Sequence, residues 1–283
     1  MTSHYASLWR LSVVLVLALL TAGSARACVL CEALGCASCA VAASDGPGYV
    51  LQGGQWPQPG GDGSPVTITY SYNNFLDGGL RDPDGVSVPA DFLRSVTEEA
   101  FGLWAAVAPL HFVEVADVGT QVFTTNSFAY RDYPDDSFGQ IRMNHRFING
   151  TDAQNGMPAA KAIAYFPSNG RHIGGDIHFD NGDPWAIVGT PSEPDVLGIM
   201  THEIGHTLGL GHSDLPESTM FPAAPRRSGL GTGMLHPADI AGVRAIYGAG
   251  VGSVTPLLAV PEPSTWLIAA IAIGCLSACR RGG

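Results

Sequence analysis

The chain has 283 residues, 46% hydrophobic and only 14% charged, which excludes a disordered solvating chain and leaves room for one or two domains. Gly (36) and Pro (20) make up about a fifth of it with no Gly-X-Y period, so a collagen-like rod is excluded as well. Fourteen Lys and Arg against 25 Asp and Glu give a net charge of −11 without a basic patch, and Lys161 is the only lysine; nucleic acid is not the expected partner.

Residues 1–27 read as a secretory signal peptide: Arg10, the apolar run Leu11–Leu20, then the small-x-small site Ala25-Arg26-Ala27. Cys28, Cys31, Cys36 and Cys39 follow as CxxC-x4-CxxC. In an oxidising compartment two disulfides are the better reading and a metal site the other, and the pairing is open. Residues 28–64 thus form a Cys-rich and then Gly/Pro-rich pro-segment or linker. Strand period begins at Pro65, with Val66, Ile68 and Tyr70 alternating with polar residues. Apolar positions from 92 to 107 predict a helix over 91–108, stopped by Pro109. Strands are expected at 110–115, 140–143, 162–166 and 173–179. A helix should run from Pro194-Asp195 to Gly209, and a last one from Pro237 to Gly248. These elements make one α+β domain, 65–249, followed by a linker over 250–260.

The chemistry is carried by His202-Glu203-Ile204-Gly205-His206-Thr207-Leu208-Gly209-Leu210-Gly211-His212. His202 and His206 lie one helical turn apart on the same face and can share one metal. Glu203 is placed to reach water on that metal. Gly209 tolerates φ > 0, so the chain can turn back and bring His212 in as a third ligand. Three protein ligands leave a fourth position for water, the mark of a catalytic zinc.

At this point the sequence resembles the matrixins, a family of metzincin zinc peptidases. Ser213 after the third histidine, and the segment Ser218-Thr219-Met220-Phe221-Pro222, are similar to the family's Met-turn. Phe101–Val115, Gly174–Asp180 and Asp239–Gly248 extend the likeness over about 65–248. The resemblance implies a zincin-like fold: a twisted five-stranded mixed sheet with a catalytic helix and a C-terminal helix, and Met220 as a hydrophobic floor under the zinc. It also implies a structural zinc to which His178 would contribute. Ile163 stands where the family has another histidine, and His145 and His172 are the other candidates, although surface histidines are the plainer reading for both. Asp180 and Asp183 fall where the family places carboxylate ligands for calcium, whose preference is for hard oxygen donors.

At the other end, Pro261-Glu262-Pro263 precedes an apolar run, Trp266–Cys279, and Arg280-Arg281. Residues 261–283 resemble the PEP-CTERM sorting signal of exported Gram-negative bacterial proteins. That likeness implies an exosortase-type sorting enzyme as a partner, transient membrane association through the hydrophobic helix, and delivery to the cell surface or matrix. The expected function is therefore an exported zinc endopeptidase, with a protein or peptide substrate and Glu203 as general base. The alternatives are a non-catalytic surface or biofilm-matrix protein on the same scaffold, and a zinc hydrolase of a non-peptide bond.

Overall fold

The alternation that begins at Val66 buries Val66, Ile68 and Tyr70 on one face of a strand, with Thr67 exposed on the other. Around it, a computed structural model describes residues 48–52, 54–119, 137–150, 161–167, 173–187, 195–223 and 229–257. The signal peptide, all six cysteines, the sorting segment, residues 151–160, His172, Arg226 and Arg227 lie outside the described residues. Among the described residues, no helix is long and apolar enough to cross a membrane.

In chain order the described elements are β1 (Val50–Leu51), β2 (Val66–Tyr72), α1 (Ala90–Ala105), β3 (Leu110–Glu114), β4 (Ile141–Arg146), β5 (Ala162–Ala164), β6 (Ile177–Asp180), α2 (Val196–Thr207), β7 (Leu210–Gly211), α3 (Pro237–Tyr247) and β8 (Ser253–Thr255). The main sheet has the order β5-β6-β4-β2-β3-β8. Its pairs are parallel except for β5, which runs antiparallel to β6 at the edge. The α+β architecture with a mixed sheet is as expected. The strand count differs, because β8 pairs with β3 beyond residue 249, where the sequence suggests a linker. A two- or three-residue strand has too few positions to display a period. The strand expected at 173–179 starts only at Ile177, since Ile173–Gly175 form a turn in which Gly175 has φ 96°.

The core lies where α1 and α2 pack on each other and on the sheet. Leu93, Val96, Phe101 and Trp104 from α1 meet Met200 and Ile204 from α2, with Ile68, Tyr70 and Phe112 beneath. Trp104 is buried without leaving its indole N–H unsatisfied: Nε1 donates to the Thr201 carbonyl at 3.1 Å.

The Gly/Pro-rich segment before β2 belongs to this body as well. β1 pairs antiparallel with β7. The Trp56 indole N–H donates to the Thr207 carbonyl (2.9 Å), and the Trp56 amide donates to the Tyr247 hydroxyl (3.1 Å). That hydroxyl in turn donates to the Leu208 carbonyl (3.0 Å). Carbonyls at the C-terminal end of α2, which have no partner inside the helix, are thus satisfied by residues far away in sequence. Val50, Leu51 and Trp56, within the segment read as pro-segment or linker, thus contact β7, α2 and α3. Composition marked the segment as a linker, but two aromatic contacts and a short strand hold it down.

A buried ion pair joins the middle of the sheet to its rim. Arg142 donates from Nε and Nη2 to the two oxygens of Asp117, each at 2.7 Å, with side-chain exposures of 0% and 2%. Ser71 and Asn73 also donate to Asp117. Removing one partner of such a pair leaves the other charge buried and uncompensated. Arg142→Met is therefore expected to cost about 3–5 kcal/mol of stability, read as a fall in the urea midpoint at unchanged m-value.

Candidate metal centre

Helix α2 starts at Asp195, whose side chain accepts from the Gly198 amide at 2.7 Å as an N-cap. All twelve of its residues are buried. It ends because Gly209 takes φ 98°. A Cβ at Gly209 would also run into the Gly54 carbonyl oxygen, so both the backbone conformation and the available space require glycine. The reversal carries the chain through β7 and returns His212 to the helix.

The three imidazoles come together. Donor atoms of His202, His206 and His212 all lie within 4.8 Å of one another, and among the described residues this is the one such group of three. His206 Nε2 and His212 Nε2 are 3.2 Å apart. Two nitrogens bonded to one tetrahedral zinc at 2.0–2.1 Å would be separated by about 3.3 Å. His202 Nδ1 bonds to the Thr219 carbonyl and His206 Nδ1 to the Leu210 carbonyl, both at 2.7 Å. A carbonyl only accepts, so each Nδ1 carries the proton and each Nε2 presents its lone pair. His202 Nε2 is buried with no hydrogen-bond partner, as a metal ligand lacking its ion would be. Burial also holds the rings neutral, the form that binds metal. The His202 pKa is lowered to about 3 by desolvation and by neighbouring His212, and that of His206 lies well below its ordinary value for the same kind of reason. The residues present fit a catalytic zinc. Glu203 is fully buried next to the first ligand.

The Met-turn lies against the helix at Gly205. A Cβ there would strike Met220 Sδ and crowd Trp104, which explains a glycine between the two helical ligands. The Ser213 amide donates to the Met220 carbonyl at 2.8 Å. The residue that organises this turn is Asp239, in the first turn of α3. Its carboxylate accepts from Ser218 Oγ (2.5 Å) and from the amides of Thr219 (2.8 Å), Met220 (3.3 Å) and His236 (2.9 Å). The sequence reading passed over this role. The available signal was an acidic residue three positions after His236, a capping-box spacing.

The comparisons agree with this geometry. The family profile described as Matrixin matches residues 81–248, more than half the chain. The chain belongs to the matrixin family. It is 30% identical over 183 residues to stromelysin-2 of Rattus norvegicus, covering 63% of this chain and 33% of the relative. Metalloendoproteinase 4-MMP of Arabidopsis thaliana is 27% identical over 209 residues, covering 71% and 51% respectively. Matrix metalloproteinase-16 of Homo sapiens is 30% identical over 211 residues, covering 71% and 28%. The chain thus spans between about a quarter and a half of the length of these relatives.

The other expected metal positions of this matrixin lie on β4, on β6 and in the turn after β6. His178 is buried in β6 with Asn144 and Ile163 as its register neighbours. Neither ring nitrogen has a hydrogen-bond partner, and the nearest carboxylate, Asp176 Oδ2, is 3.8 Å away. Among the described residues His178 is not part of a group of three or more side chains placed to hold a metal. His145 is no surface residue: its Nε2 donates to Asp77 (2.7 Å) and its Nδ1 accepts from Asn181 (3.2 Å). Asp180 and Asp183 are turned onto protein donors instead of outward. Asp180 accepts four backbone amides, from Ile148, Asn149, Gly150 and Gly182, and Asp183 is ion-paired with Lys161. That arrangement does not fit calcium.

Two outcomes are expected. Asp239→Ala should release Thr219, and with it the orientation of His202, weakening zinc binding by about 10–100-fold in competition with a chelating dye. His178, held at about 3 by burial against an ordinary value of 6.5, stays neutral in the folded chain while the unfolded chain protonates it. Its contribution to stability is whole above pH 6.5 and lost as the pH falls towards 3. His178→Leu should accordingly reduce the acid slope of the urea stability by up to about 1.4 kcal/mol per pH unit.

Proposed function

We propose that this matrixin is an exported zinc-dependent endopeptidase that cleaves peptide bonds in an extended protein or peptide substrate. The observation that carries the reading is the convergence of three buried imidazoles, two of them with Nδ1–H fixed on backbone carbonyls. Zinc held by His202, His206 and His212 would polarise the scissile carbonyl and lower the pKa of water. Glu203 takes a proton from the attacking water as general base and delivers it to the leaving amine nitrogen. Its burial beside His202 keeps bulk water from competing for that proton.

Substrate is positioned by β5. This strand has β6 on one side, and no described strand on the other, so its outer edge can pair with an extended peptide. Phe166, two residues past β5, packs edge-on against the His206 ring at 5.3 Å, tying that edge to the metal ligands. The loop 221–234 would receive the side chain that follows the cut. Its described part is held by Glu99, which accepts from the Gly231 (2.7 Å) and Gly233 (3.0 Å) amides, and by Thr219 Oγ1, which donates to the Met234 carbonyl at 3.1 Å.

Export and sorting belong to the same reading and rest on sequence: the signal-peptide pattern over 1–27, and the Pro-Glu-Pro, apolar and arginine order over 261–283. They direct the enzyme outside a Gram-negative cell, with an exosortase-type enzyme acting on the tail.

Glu203→Ala should retain zinc and lose hydrolysis of a denatured protein by about 10²–10⁴-fold. Equal, chelator-insensitive activity of the variant and the parent would remove the proposal. Full zinc loading with no turnover of any peptide library would favour the non-catalytic alternative.

A further inference from the structure

Two acidic side chains are withdrawn from water at the end of β6. Asp180 is 0% exposed and Asp183 3%. Burial of two carboxylates so close in sequence demands compensation, and the chain supplies it in two ways. For Asp180 the compensation is backbone: Oδ1 accepts from Ile148 (3.1 Å) and Gly182 (2.8 Å), and Oδ2 from Asn149 (2.8 Å) and Gly150 (2.7 Å). Four donors fill the roughly four lone-pair positions of a carboxylate. For Asp183 it is a charge, the Lys161 ammonium on Oδ1, with side-chain exposures of 9% and 0%.

A bound calcium would take six to eight oxygen ligands. Each Asp180 oxygen is already shared between two amides, and Asp183 Oδ1 already holds a cation. The second oxygen of Asp183 is buried without a hydrogen-bond partner. It marks space beside the ammonium that another cationic centre would use if the lysine were gone. The main chain reinforces the arrangement, because the Asp180 amide donates to the Lys161 carbonyl at 2.8 Å. Lys161 immediately precedes β5, so its backbone and its side chain both tie the start of the edge strand to the turn after β6.

We propose that the Lys161 ammonium is a tethered cation standing in the Asp180–Asp183 pocket in place of a divalent ion, so that edge strand β5 is fixed without calcium at this position. The inference concerns stability and cation binding and stands independently of hydrolysis.

Lys161 is the only lysine in the chain, so the zinc-loaded full-length protein, labelled with ε-15N lysine and carrying no lysine in any tag, gives one ammonium signal. That signal is expected to show slowly exchanging protons and to be unmoved by millimolar calcium. Equilibrium dialysis with radioactive calcium should give the same stoichiometry for the parent and for Asp183→Asn. Lys161→Gln should melt several degrees lower in calcium-free buffer, bind one calcium more than the parent, and recover part of its loss when calcium is added. Lys161→Gln/Asp183→Asn should not bind the extra ion. The proposal is overturned if calcium shifts the parent's lysine signal to that of a solvent-exposed amine, or if the parent binds one calcium more than Asp183→Asn. Failure of Lys161→Gln to fold leaves the spectroscopic test on the parent decisive.

Discussion

Neutral imidazoles in a dry interior need their protons directed, and the metal centre depends on this being done by the backbone. The carbonyls of Thr219 and Leu210 each take an Nδ1 proton, which leaves the Nε2 lone pairs of His202 and His206 facing inward. The two carbonyls come from different places: one from the Met-turn, the other from the strand that follows the glycine reversal. Both segments must be in position before the helix displays a usable pair of ligands. Much of the surrounding structure serves that requirement. Asp239 holds the Met-turn through its amides and Ser218, and the segment at Trp56 holds the carbonyl end of the helix.

What the sequence disclosed follows from which features are local. His202, Glu203 and His206 lie within a single helical turn, and Gly209 supplies the reversal, so helix, ligands and stop signal are written within eleven residues. β2 was visible because one face is buried and the other is not. β6 was harder to delimit, because all four of its residues are buried and it has no alternation. The pairing of β1 with β7 and of β8 with β3 joins residues more than a hundred positions apart, and nothing in two or three residues announces such a partner. The same holds for Asp117 with Arg142, where an arginine in a strand looks like a solvated residue until its partner is known.

The metal positions away from the catalytic centre separate likeness from chemistry. Asp180 and Asp183 have the identities that suit a hard cation, yet both Asp180 oxygens accept amides and Asp183 Oδ1 faces an ammonium. His178 matches a ligand position, yet its sheet neighbours are an asparagine and an isoleucine. In each case the residue type was legible and its surroundings were not, because those surroundings come from strands that meet only in the folded chain.

Residues 48–52 and 54–58 form a strap over the catalytic helix and the turn that follows it. Gly48 accepts through its carbonyl from Ser213 Oγ at 2.7 Å, next to the third ligand, and Trp56 plugs the far end of the same helix. Both attachments begin at or after residue 48. A cut after the tryptophan would uncover the helix end and detach the short strand that steadies the turn before His212.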